Sequence, residues 1–77
     1  MVQAYVLIQT EVGKAASVCE QVREIPGVDF AHNLTGHYDL IVKASATDVD
    51  QLGKLVVARI HLVEGITRTL TCPVVNL

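Results

Sequence analysis

Residues 28–45 read V-D-F-A-H-N-L-T-G-H-Y-D-L-I-V-K-A-S, and the fold turns on how they are divided. Val28, Phe30, His32 and Leu34 alternate with Asp29, Ala31 and Asn33, the period of two expected of a half-buried strand. Beyond Gly36, Tyr38, Leu40, Val42 and Ala44 alternate with Asp39, Ile41, Lys43 and Ser45. Two such runs on either side of a glycine predict an antiparallel hairpin over 28–34 and 38–45. The turn requires Gly36, which has the backbone freedom for it. It does not require a histidine, a tyrosine and an aspartate directly afterwards, so T-G-H-Y-D at 35–39 holds more chemistry than a turn needs.

Working outward, Val2–Thr10 is a third strand, with Val2, Ala4, Val6 and Ile8 opposing Gln3, Tyr5, Leu7 and Gln9. Tyr5 and Leu7 make its second face half apolar, so both faces are expected to be covered, one by helices and one by a partner. Residues 14–25 carry Ala15, Val18, Cys19, Val22 and Ile25 at helical spacing, and Pro26-Gly27 stops that helix. A second helix is expected from an N-cap at Thr47 to about residue 60. Asp48 and Asp50 lie in its first turn, and Val49, Leu52, Leu55, Val56 and Ile60 on its inner side. Glu64-Gly65 turns the chain into a last strand over 66–75, where Ile66, Arg68, Leu70 and Cys72 face one way and Thr67, Thr69 and Thr71 the other. The order β-α-β-β-α-β, as two right-handed β-α-β units, predicts an α+β ferredoxin-like sandwich: a four-stranded antiparallel sheet with two helices on one face. Residues 1–77 form a single domain in this scheme.

The composition narrows the possible partners. With 77 residues the chain can bury only a modest core, yet 51% of it is hydrophobic and only 18% charged. No stretch approaches the ~18 uninterrupted apolar residues of a spanning helix, so no membrane role is expected. Met1 leads into a strand without the features of a signal peptide. Six basic residues among eight acidic ones form no stripe for phosphates, which disfavours direct nucleic-acid binding. The apolar surplus therefore points to a second copy of the chain, paired through the bare sheet face. Cys19 and Cys72 are expected as reduced, buried thiols, in keeping with a cytoplasmic protein.

Several chemistries fit poorly. His32, His37 and His61 show no metal-ligand spacing, and the first loop, Glu11-Val12-Gly13, lacks the C-x-x-C of metal-carrying ferredoxin-like domains. That loop also has no arginine to cradle an anion in the manner of an acylphosphatase. Neither Ser17 nor Ser45 sits in a nucleophile elbow, and no cofactor motif is present. His37 and Asp39, two apart on a strand, would share a side and could pair as an acid–base dyad. A small-ligand site suits the loop better. Gly36 permits close backbone approach, Thr35 offers a hydroxyl, Asp39 suits an ammonium group and turn N–H groups suit a carboxylate. Equally, Thr35-Gly36 could be only a turn, with Tyr38 in the core and Asp39 solvated.

Three motifs taken in order resemble the effector domain of the Lrp/AsnC transcription regulators, known as RAM for regulation of amino acid metabolism. They are I-P-G-V at 25–28, T-G-H-Y-D-L at 35–40 and G-I-T-R-T at 65–69, and the resemblance covers nearly the whole chain. It implies a βαββαβ domain that pairs its sheets into a homodimer, with dimers assembling into rings, commonly octamers. It further implies that a small amino acid binds between dimers at Thr35, Gly36, His37, Tyr38 and Asp39, with Thr69 and Thr71 of a neighbouring fourth strand as further contacts. His37 occupies the variable position of the loop, where it would tune ligand choice and make binding sensitive to pH. Full regulators carry an N-terminal helix-turn-helix domain. This sequence opens at the effector domain's first strand, so it reads as a stand-alone form that would modulate full-length Lrp/AsnC regulators without binding DNA itself. A rival expectation is a small dimeric α+β-barrel enzyme of the monooxygenase or isomerase type, its site inside the barrel beside His32. Pure scaffolding, with the loop touching only other subunits, is a third.

Overall fold

The alternation in residues 2–10 becomes a strand, β1 (Val2–Thr10), in the computed structural model, which describes all of residues 1–77. It is followed by α1 (Ala15–Arg23), β2 (Val28–Asn33), β3 (Leu40–Ala46), α2 (Val49–Leu55) and β4 (Ile66–Pro73), with a π-helical turn, Val56–Ile60, prolonging α2. The strands form one antiparallel sheet in the order β2-β3-β1-β4. This is the expected ferredoxin-like sandwich, and β1 and β3 lie at its centre.

The register explains which residues make the core. Val6 pairs with Val42 on one side and Thr71 on the other, and Ile8 with Leu40 and Thr69. Directly paired residues share a face, so Ala4, Val6, Ile8, Leu40, Val42 and Ala44 form one apolar layer. Val18, Cys19 and Val22 of α1 cover it together with Leu52, Leu55, Val56 and Ile60 of the second helical segment, all buried. Each fully buried aliphatic side chain contributes about 1.5–3 kcal/mol relative to exposure. The opposite face carries the row Leu70–Leu7–Ile41–His32 and the row Cys72–Tyr5–Lys43–Phe30, and the chain places nothing over them.

Several local expectations are corrected. In β2 the register slips between Val28 and Phe30, so Val28 packs on the core beside buried Ala31, while Phe30 and His32 turn to the open face. A second slip between Gln9 and Thr10 sets Ile66 opposite Thr10 and against the core, not beside Arg68, Leu70 and Cys72. Cys19 is buried as expected, but Cys72 is exposed because it lies on the open face; both are free thiols. The first helix is shorter at both ends, although Ile25 beyond it remains buried. The second helix is capped by Asp48, not Thr47: its Oδ1 accepts the Gln51 N–H at 2.8 Å. Val49, expected inside, is 71% exposed.

The π turn has a packing cause. Continued α-helical spacing from Leu52, Leu55 and Val56 would point Arg59 inward. Widening the helix at Val56 brings Ile60 into the core instead, and the Val56 carbonyl accepts from His61 N–H at 2.9 Å. Arg59 is left exposed. At the turn after α1, Gly27 has φ +99°, and its carbonyl accepts the Ser45 N–H at 2.8 Å. A Cβ on Gly27 would lie 2.8 Å from Leu55 Cδ2, so the missing side chain lets this turn close directly on α2.

Candidate functional site

β2 ends at Asn33 and β3 begins at Leu40, so residues 34–39 form a loop broader than a tight turn, and Tyr38 and Asp39 precede the strand. The loop folds over the C-terminal end of β1. Asp39 N–H donates to the Ile8 carbonyl at 2.8 Å, and the Asp39 carbonyl accepts Leu34 N–H at 2.7 Å. One Asp39 carboxylate oxygen, Oδ2, accepts the Thr10 N–H at 2.8 Å and the Thr10 hydroxyl at 3.2 Å. Gln9 Nε2 donates to the His37 carbonyl at 2.6 Å. The second half of the loop is thus held by the last two residues of β1, and its first residue, Leu34, is tied to Asp39.

These bonds change what Asp39 is. Instead of being a solvated anion free for an ammonium group, it is half-buried and clamps the loop to β1. A carboxylate has two oxygens with about four acceptor positions, so Oδ1 keeps capacity for a further donor. His37 and Asp39 make no hydrogen bond with each other; His37 contributes only its carbonyl to the network. Neither lies on a strand, and the geometry of an acid–base dyad does not arise.

Thr35, Gly36 and His37 form the exposed crest of the loop, with Tyr38 half-buried beneath it. Gly36 has φ +123°, a conformation an L side chain adopts only with strain, and nothing lies within 4 Å of where its Cβ would be. The glycine is required by backbone shape, not crowding, and the space over it is open.

The fourth-strand threonines are not gathered at this crest. Thr69 pairs with Ile8, whose carbonyl Asp39 reaches from the other side, so β1 separates Thr69 from the loop. Two strand spacings amount to about 10 Å. The Thr69 hydroxyl is 2.8 Å from His61 Nε2. Thr71 lies farther along β4, in an apolar groove beside Val49 and Val57. No three His, Cys, Asp or Glu side chains converge on a common point. His32 sits on the open face with its ring stacked on Phe30, centroids 4.9 Å apart.

Gln9, Thr10 and His61 were not anticipated. The signal for the first two was available: polar residues ending an otherwise apolar strand, at the rim where the hairpin loop must return.

Residues 3–76 match the family model described as the Lrp/AsnC ligand binding domain. The chain belongs to this family. An uncharacterized HTH-type transcriptional regulator of Pyrococcus furiosus is 31% identical over 71 residues, 88% of this chain and 47% of that protein. The chain spans about half the length, or less, of the curated relatives it matches. A Thermus thermophilus protein of known structure superposes with a TM-score of 0.93 at 31% identity, covering 100% of this chain and 96% of that one. A transcriptional regulator from Neisseria meningitidis, solved as an L-Met complex, shares the fold with a TM-score of 0.84 at 22% identity, over 97% of this chain and 50% of that one. The residues matched to the Lrp/AsnC ligand binding domain span the hairpin and so include T-G-H-Y-D.

Proposed function

We propose that this Lrp/AsnC ligand-binding domain senses a small amino acid at the crest of the 35–39 loop, through a site that a neighbouring subunit completes. Supporting this reading above all is the loop's construction: Asp39 and Gln9 fix the backbone while Thr35, Gly36 and His37 stay exposed. A pre-set backbone lowers the ordering cost of binding. Free Asp39 Oδ1 suits an α-ammonium group, and the uncovered backbone at Gly36 suits a carboxylate. The Neisseria regulator's L-Met complex makes a free amino acid the natural first class to test. Tyr38 would then support the loop from below, and Thr69 and Thr71 would contribute only from another subunit, since β1 stands between them and the crest.

The same reading has the subunits pair through the open sheet face and the dimers assemble further, an octamer being one closed solution. The domain would modulate Lrp/AsnC regulators from the cytoplasm, without catalysis and without contacting DNA through these residues. No helix is long and apolar enough to cross a membrane.

A thermal-shift screen of the common amino acids tests this function, repeated on a Thr35→Ala/His37→Ala variant. Both substitutions lie on the exposed crest and spare the Asp39 clamp. A ligand present at a hundred times its Kd stabilises by about 2.7 kcal/mol. In a domain of this size each kcal/mol moves Tm by roughly 4–8 °C. At least one amino acid is expected to raise Tm in the parent chain and to raise it less in the variant, which lacks the Thr35 hydroxyl and the His37 ring. No shift with any amino acid, or an equal shift in the variant, would overturn the assignment.

A further inference from the structure

We propose a second binding site, for a small multiply charged anion, in the cleft between the Pro26–Gly27 turn and the flank of α2 and its π turn. The cleft is an open groove of about 540 Å³, lined by Gly27, Ser45, Thr47, Gln51, Lys54 and Arg59 among others. That volume lies within the range of small-molecule sites.

The cleft is built before anything binds. The Gly27–Ser45 backbone bond fixes one wall, and the absent Cβ at Gly27 lets that wall close on Leu55. The Ser45 hydroxyl donates to Asp29, and the Asp48 side chain caps α2 through Gln51 N–H. The remaining donors have no such duties: Lys54, Arg59, Thr47 and the Gln51 side-chain amide appear in none of the side-chain hydrogen bonds of the fold.

Charge selects the ligand class. Two cations line the cleft against one lining carboxylate, Asp48, whose Oδ1 is already engaged by Gln51 N–H; a second carboxylate, Asp29, is engaged by the lining Ser45 hydroxyl. Arg59 stands here because of the π turn. Uninterrupted α-helix would point it toward the core, whereas the wider turn rotates it onto the same flank as Lys54 and Leu55. Arginine offers a planar fork for a carboxylate or phosphate, and lysine adds a point charge. Two cations cannot neutralise a nucleic-acid backbone, but they match one phosphate or dicarboxylate.

Lys54 and Arg59, the cations of the cleft, lie on the helical layer and not among the residues of the open sheet face. The proposal therefore stands independently of the amino-acid site.

NMR titration of the ¹⁵N-labelled chain with sodium phosphate, and separately with succinate, at constant ionic strength, tests it. Saturable shifts are expected at the amides of Gly27, Ser45, Thr47 and Gln51, and the better of the two anions names the ligand's acidic group. Lys54→Gln and Arg59→Gln should each weaken binding about tenfold, as loss of one charged hydrogen bond predicts. Lys54→Arg should retain it. Both residues are exposed, so the variants' spectra also verify that the fold persists. Linear shifts spread equally over Lys14, Lys43 and Arg68 would mean an adventitious ion only and overturn the proposal, as would unchanged affinity in the variants.

Discussion

On β1, Ala4, Val6 and Ile8 are wholly buried, while their neighbours Tyr5 and Leu7 remain partly open. The same strand thus supplies a finished surface and an unfinished one. The finished side meets two helices whose buried residues fill it completely. The unfinished side carries Leu70, Leu7 and Ile41 in one row and Tyr5 and Phe30 in the next, with ring centroids of the latter pair 6.4 Å apart. Both sides are apolar, so hydrophobicity alone does not separate residues that make the domain from residues free to make an assembly. Side-chain parity along the strand does.

The contrast breaks most sharply at adjacent positions. Ile8→Ala should cost about 2–5 kcal/mol of folding stability, measurable by urea denaturation and large against the few kcal/mol of so small a domain. If Ile8→Ala cost no more than Leu7→Ala in the monomer, the two faces would not differ as described. Asp39 tests the loop that joins β2 to β3. Asp39→Ala strips the acceptor from Thr10 N–H and should cost about 1–3 kcal/mol with no ligand present, whereas Asp39→Asn, keeping an oxygen, should recover part of it. Equal losses would show that charge and not hydrogen bonding holds the clamp.

A smaller effect concerns the helices that finish the covered face. Asp48→Ala should cost about 1 kcal/mol through loss of the N-cap, and Thr47→Ala nearly nothing. The reverse ranking in thermal melts would return the cap to Thr47. Smallest for the fold is Leu7→Lys, expected to change monomer stability by less than about 0.5 kcal/mol while lowering the sedimenting mass. An unchanged mass would free the open face of its proposed role.

Much of this was legible in the sequence, and the failures share a cause. β1 and β3 keep strict alternation, so their faces were readable residue by residue. β2 and the start of β4 each contain a register slip, and one shifted residue inverts every face assignment on its far side. Hence Val28 parts company with Phe30 and His32, and Ile66 with Cys72. The α2 cap was misplaced by one position because Thr47 and Asp48 are both competent caps and only the Gln51 bond distinguishes them. Ile60 was expected on the inner side and is buried there, but the π turn that brings it in and leaves Arg59 out has no signature in the helical periodicity. In the site, the unusual chemistry of T-G-H-Y-D was visible, but its division was not. Asp39 is bonded to Thr10, twenty-nine positions away, a pairing set by sheet topology and not by local pattern.

The proposed amino-acid site is a shared one, with the open face creating the assembly that completes it. Calorimetric titration of the folded Leu7→Lys variant with the amino acid identified in the thermal screen tests this directly. Binding is expected to disappear together with the assembly, while the parent chain under the same conditions binds saturably. Undiminished affinity in a sedimentation-verified monomer would contradict it and place a complete pocket within one subunit.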